Sequence, residues 1–424
     1  MKRFRKPISV VLSLLLVFLC FACLSVPRAG AASQGIGSVI FMIGDGMGMN
    51  HLRLAEQEGY TLFMESGADL SGWSRTRSYS HTVTDSAAGA TALSCGVRIT
   101  NRQLCVFPSD MNKTGLQPRI ITENALSHGM RVGIVTTDKT NGATPGGFSV
   151  HTDSRDNADD ISTQQLSSGF DLIWGAKTST VSKTAAAEHG YTYVSNVTEL
   201  RALETGTRSF AQLPSDCWKL TPSKSSPTLA EMTARSLSLL SADAPYGFFL
   251  MVEGAHIDKI SDDTGDDGAV DYPSKRADTA EAVAAFDLAV QAAVEFARQD
   301  GHTMVIVTAD HETGNLYADD ASGEYAFHSA SHTGKDVPVF VYCASDLFAD
   351  GAAVNNSDFA NLIAARLGWQ ERFPIEDPVP AQEPTEEPSG NEGGSSESDG
   401  RNFFQRVIDW FRALFQSIAD WFRR

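Results

Sequence analysis

Outside its first 31 residues the chain has no Cys-x-x-Cys pair, it has no Gly-x-Ser-x-Gly turn, and positive charge is scarce. Each lack excludes something. Without paired cysteines a zinc ribbon has no ligands. Without the glycine-flanked serine, a nucleophile elbow of the α/β-hydrolase kind has nowhere to form. Lys and Arg number 34 against 52 Asp and Glu, for a net charge of −18. A surface of that sign repels nucleic acid, so no nucleic-acid partner is expected. The sequence also lacks an internal repeat, which removes solenoids. Four cysteines remain beyond the N-terminal segment, namely Cys95, Cys105, Cys217 and Cys343. Cys95 and Cys105 are close enough in sequence to close a loop, but three pairings stay open.

The ends of the chain differ from its middle. Lys2, Arg3, Arg5 and Lys6 precede an apolar run from Ile8 to Leu24, and Ala29-Gly30-Ala31 offers small residues for cleavage. Residues 1–31 therefore read as a signal peptide, and the protein as secreted or cell-surface. An uncleaved anchor or a lipid on Cys23 are the alternatives. Removing five basic residues with that segment takes the charge from −18 to −23. Residues 374–400 are rich in Pro, Glu, Ser and Gly, with eight acidic residues and no basic one. They read as a linker. In residues 401–424, Phe404, Val407, Ile408, Phe411, Leu414, Phe415, Ile418, Trp421 and Phe422 recur at helical spacing, with arginines largely opposite. That is an amphipathic helix, too polar to span a bilayer. It suits a membrane surface or, alternatively, a protein partner or a second copy.

Between these ends, 42% of the chain being hydrophobic supports a sizeable core. Val39–Ile43, Val132–Thr136, Phe248–Val252, Met304–Thr308 and Val337–Tyr342 are continuous apolar runs, the pattern of strands covered on both faces. Helical stretches at Ser86–Leu93, Ile120–Ser127 and Ala277–Arg298 alternate with them. The expected fold is a doubly wound α/β domain over residues 32–373, its mostly parallel sheet flanked by helices on both faces.

Acidic and histidine residues collect at the ends of those runs. Asp45 follows VIFMIG, Glu253 and Asp258 lie in VEGAHID, Asp310-His311 follows MVIVTA, and His332 lies in SASHTG. Open α/β sheets build sites at the carboxyl ends of strands. Carboxylate and imidazole together suit zinc. Ser86 opens the small-residue run SAAGATAL, where a helix N-terminus favours a phosphoryl group. A serine there needs activation, and metal suits this sequence better than a His–Asp pair. Ser86 acting only as a helix cap is the plainer alternative. His151 and His256 read as structural, and the acidic run Asp262–Asp271 lacks the full pattern of a calcium loop.

Taken together, TDSAAGATAL, VEGAHID, TADHETG and the weaker ATP at 143–145 resemble the alkaline phosphatase family, in the same order, over roughly residues 38–370. The resemblance implies a metal-dependent phosphomonoesterase working through a phosphoserine on Ser86, with two Zn2+ and one Mg2+. It implies that Asp45, Asp310 and His311 hold the zinc that activates Ser86, and that Asp45, Thr144 and Glu253 hold magnesium. It gives the other zinc to Asp258, His332 and the residue four after Asp258. Arg155 matches the arginine that clamps two phosphoryl oxygens. The family is often dimeric, which makes a homodimer possible here. Two positions depart from the pattern. Asp262 replaces a histidine four residues after Asp258, and Gly142 stands two before Thr144, where Asp or His is usual. They motivate an alternative, a phosphate- or metal-binding relative with reduced or lost turnover. Lys259 is a candidate for phosphate contact through water or a plain surface lysine.

Overall fold

The computed structural model describes residues 36–380. The signal peptide, most of the linker and the amphipathic helix at 401–424 lie outside the described residues. Among the described residues no helix is long and apolar enough to cross a membrane.

The five continuous apolar runs are all strands of one ten-stranded sheet. In spatial order its strands are Ala353–Asn355, Leu70–Arg75, Val337–Tyr342, Thr303–Thr308, Ser38–Gly44, Phe248–Gly254, Arg131–Lys139, Leu172–Ala176, Ser209–Leu213 and Thr192–Val194. From Thr303–Thr308 to Thr192–Val194 every pairing is parallel. Val337–Tyr342 runs antiparallel to both its neighbours. This is the doubly wound, mostly parallel sheet expected.

Alternation along the central strand shows why an unbroken apolar run was needed. Val39, Phe41 and Ile43 enter one core, while Ile40 and Met42 enter the core on the opposite face. On the latter face lies the helix Pro273–Asp300, started by a proline at its first turn and stopped by Gly301 in the left-handed region. Phe286 of this helix sits at the end of the strand Phe248–Gly254, where a Cβ on Gly254 would come within 2.8 Å of its ring. Burying a side chain of that size contributes about 1.5–3 kcal/mol. It also fixes the strand end that carries Glu253. The other face is covered by Ser86–Cys95, Ile121–Ser127 and Phe359–Arg366.

Cys95 and Cys105 meet in a small buried cluster with Ile120, as free thiols, while Cys217 is buried elsewhere. Residues 374–379, which the composition placed in the linker, belong to the compact body. Glu376–Pro378 pairs with Leu116–Pro118, and Arg119 binds the Asp377 carboxylate through two 2.6 Å hydrogen bonds.

Candidate active site

The carboxyl ends of three adjacent strands supply the site. Asp45 follows Ser38–Gly44, Glu253 closes Phe248–Gly254, and Asp310-His311 follows Thr303–Thr308. Asp258 comes from the short helix His256–Ser261, and His332 from the two-residue strand His332–Thr333. The turn after Asp45 needs glycine. Gly46 has φ +74°, and a Cβ there would lie 2.8 Å from Thr313 Oγ1 and 2.9 Å from Asp258 Cβ.

Two ligand groups form around His311. Asp45, Asp310 and His311 bring one donor atom each within 4.8 Å of one another, and so do Asp258, His311 and His332. The two imidazoles stack with ring centres 3.6 Å apart. Their hydrogen bonds set the tautomers. His332 Nδ1 meets the carbonyl of Thr84 at 3.1 Å, so that nitrogen carries the proton. His311 Nδ1 meets Thr313 Oγ1 at 3.2 Å, and that hydroxyl donates to Asp258 Oδ1. In both rings Nε2 is left with its lone pair facing the carboxylates, the form that ligates a metal.

The carboxylates are short of partners. Asp45 Oδ1, Asp310 Oδ2 and Thr144 Oγ1 are buried without a hydrogen bond. Burial pushes the Asp45 carboxyl well above its ordinary range, with Asp310 and Asp258 adding repulsion. Burial, then Asp258, raises Asp310 to about 6. Burial, then Asp138, raises Glu253 to about 7. Burial, then His332, holds His311 well below its usual value. Crowded buried acids around a neutral His311 are what residues built around divalent metal look like. The donor set fits zinc at the two groups that share His311, and a hard cation where Glu253 and Thr144 meet.

Ser86 begins the helix Ser86–Cys95, and its Oγ lies 3.2 Å from His311 Nε2. Asp85 caps that helix by accepting from Ala88 N at 3.0 Å. Its other oxygen accepts from Arg155 Nη1 at 3.1 Å and from Arg102 N at 3.1 Å. One carboxylate therefore fixes both the helix start and the guanidinium beside it.

Of the sequence-derived residues, Ser86, Arg155, Asp45, Thr144, Glu253, Asp258, Asp310, His311 and His332 come together at this end of the sheet. Asp262 does not join the ligand groups. The helix His256–Ser261 ends at it, and it is exposed. His151 donates to the Cys105 carbonyl and to Glu123, away from the site, and His256 stacks on Trp218 with ring centres 5.2 Å apart. Asp85 and Thr313 were missed as functional residues. The position of Asp85 immediately before Ser86 marks it as a cap, but the reach of Arg155 to it, 70 residues on, leaves no local signal.

Comparison with known proteins agrees with the geometry. The family model described as alkaline phosphatase matches residues 36–174 and 175–331. Alkaline phosphatase 3 of Bacillus subtilis is 32% identical over 391 residues, covering 84% of this chain and 79% of that protein. Alkaline phosphatase 4 of the same organism is 31% identical over 329 residues, covering 71% and 67%. The solved alkaline phosphatase of the Antarctic bacterium TAB5 superposes with a TM-score of 0.66 at 25% identity, covering 80% of this chain and 100% of that one.

Proposed function

The chain belongs to the alkaline phosphatase family and is a phosphoric monoester hydrolase, and from that premise we propose that it works outside the cytoplasm through a phosphoserine on Ser86. The observation that carries this is the Ser86 hydroxyl, 3.2 Å from His311 Nε2, beside two ligand groups that share that imidazole. Asp45, Asp310 and His311 would hold one zinc, Asp258 and His332 would hold the second, and Glu253 and Thr144 would hold magnesium with Asp45. Divalent cations held there would supply charge neutralisation for an in-line displacement.

The residues of the chain account for the rest. Arg155, held by Asp85, presents a planar fork to two phosphoryl oxygens. The helix beginning at Ser86 points its positive end at the same group. Ser86 Oγ gives up its proton and bonds to phosphorus as the ester P–O bond breaks, and the ester oxygen takes up a proton and leaves as the alcohol. Water then gives up a proton as its oxygen bonds to phosphorus, the P–O bond to Ser86 breaks, Ser86 Oγ regains a proton, and inorganic phosphate departs. Phosphoryl transfer of this kind needs positioning and charge stabilisation above all.

Hydrolysis of an aryl phosphate by residues 32–424 tests the reading. Turnover lost on chelation and restored by zinc with magnesium is expected. A folded protein inactive with every divalent metal would favour a binding relative that has lost turnover.

A further inference from the structure

The strand Arg131–Lys139 breaks register beside the site. Val135 pairs with Trp174, and the next match to that neighbour is Lys139 with Ala176. Four residues advance on one strand against two on the other. The stretch 136–138 leaves the ladder with Leu172–Ala176, while Thr136 still pairs with Glu253 on the other side; bulges re-aim side chains next to active sites in this way. Hydroxyls anchor the stretch. Thr136 Oγ1 accepts from Asp138 N at 2.8 Å and donates to Glu253, and Thr137 Oγ1 accepts from Ala255 N at 2.9 Å.

The bulge brings the Asp138 carboxylate 3.2 Å from Lys259 Nζ. The same oxygen, Oδ2, lies 2.6 Å from where a Cβ on residue 142 would stand, and Lys139 O lies 3.1 Å from it. A side chain at 142 would displace the Asp138 carboxylate from this position. Gly142 leaves the space that the Asp138 carboxylate occupies, two positions before Thr144, whose hydroxyl has no hydrogen bond among the described residues.

We propose that Asp138 is a positioning residue of the active site, supplying from the bulged strand the carboxylate that position 142 lacks, holding Lys259 at the site and suiting the Glu253–Thr144 end to Mg2+. The physical reason is charge. An unpaired ammonium on the residue after Asp258 repels a divalent cation at the site, and pairing with Asp138 offsets that repulsion. The added carboxylate also favours a hard cation that keeps part of its water shell. The inference rests on the phosphomonoesterase reading.

The test uses mature full-length protein loaded with zinc, in wild-type form and as Asp138→Ala, Asp138→Asn, Gly142→Asp and the double variant Asp138→Ala/Gly142→Asp. The primary readout is the Mg2+ concentration that gives half the maximal rise in melting temperature, with kcat and KM for an aryl phosphate measured alongside. Asp138→Ala and the isosteric Asp138→Asn should each raise that concentration at least about fivefold. Gly142→Asp should lower the melting temperature when Asp138 is present, and the double variant should regain a Mg2+ midpoint within about twofold of wild type. An unchanged midpoint in Asp138→Asn overturns the proposal. So does a Gly142→Asp effect that is the same with and without Asp138. Wild-type turnover is scored separately, so an inactive wild type refutes the phosphatase reading while the Mg2+ comparison still judges Asp138.

Discussion

The Ser86 hydroxyl and His311 Nε2 stand 3.2 Å apart, and that nitrogen also faces Asp310 Oδ2 at 3.3 Å and Asp45 Oδ1 at 3.4 Å. A serine–histidine contact invites a hydrolase triad. Two features argue otherwise. Burial keeps the His311 pKa well below its usual value, which makes it a weak base. Its Nδ1 meets the Thr313 hydroxyl, where a triad would place a carboxylate. A neutral imidazole with Nε2 turned to two aspartates is placed as a metal ligand. Ser86→Ala should therefore cut turnover by about 10³-fold or more while the protein stays folded, as steady-state rates and circular dichroism would show. A variant with full activity would remove Ser86 from the mechanism.

Metal removal should weaken the fold. Asp45 Oδ1, Asp310 Oδ2 and Thr144 Oγ1 have no hydrogen bond among the described residues. A cation that binds only the folded state stabilises it by about 2.7 kcal/mol at a hundred times its dissociation constant. Chelated protein should melt about 5 °C or more below protein with zinc and magnesium restored, as calorimetry would show. Identical melting curves would mean that these atoms are not metal ligands.

Asp262 and Asp258 should separate in kinetics. Asp258 lies 3.4 Å from His332 Nε2, whereas Asp262 is exposed and outside both ligand groups. Replacing Asp258 with alanine should cost over about 100-fold in kcat/KM, and replacing Asp262 under about tenfold. Asp262→His should leave zinc affinity, read by chelator competition, within about threefold of wild type, whereas a residue that ligates zinc would tighten it on becoming histidine. Equal losses at the two positions would put Asp262 back among the ligands.

His151 gives a pH dependence far from the reacting atoms. Burial opposes its protonation, but the 3.0 Å hydrogen bond to Glu123 overcomes this and lifts its pKa to about 9. A folded pKa above the ordinary 6.5 means the contribution is fully present below about pH 6.5 and is lost as pH rises through 9. It is on the order of 2 kcal/mol, discounted for the exposed side of Glu123. His151→Gln should flatten the fall in melting temperature between pH 6.5 and 9. A variant with the wild-type slope would contradict the pairing.

Much of this was legible in the sequence because burial on both faces leaves a simple trace. Val39–Ile43 and Met304–Thr308 had to be apolar throughout, and the ligands sit where those runs stop. The outer strands Leu172–Ala176, Ser209–Leu213 and Thr192–Val194 were not legible, being short and interrupted by Gly, Gln or Thr. Asp262 stands outside the two ligand groups at the end of its helix. Four residues after Asp258 is the same face of a helix, and Asp262 N–H does bond Asp258 O, but Asp262 is the last, capping position and its side chain is exposed. Residues 374–379 misled because their partners, Lys113 and Arg119, lie more than 250 positions away. The bulge before Asp138 had no signal, since periodicity does not report register between strands.

The most direct test of the account is acid quenching of the zinc- and magnesium-loaded enzyme during turnover of an aryl phosphate, followed by mass spectrometry of the peptide that contains Ser86. The account predicts phosphate on Ser86 during turnover, and none in Ser86→Ala. Rapid turnover with Ser86 unmodified, or phosphate on another residue, would contradict it.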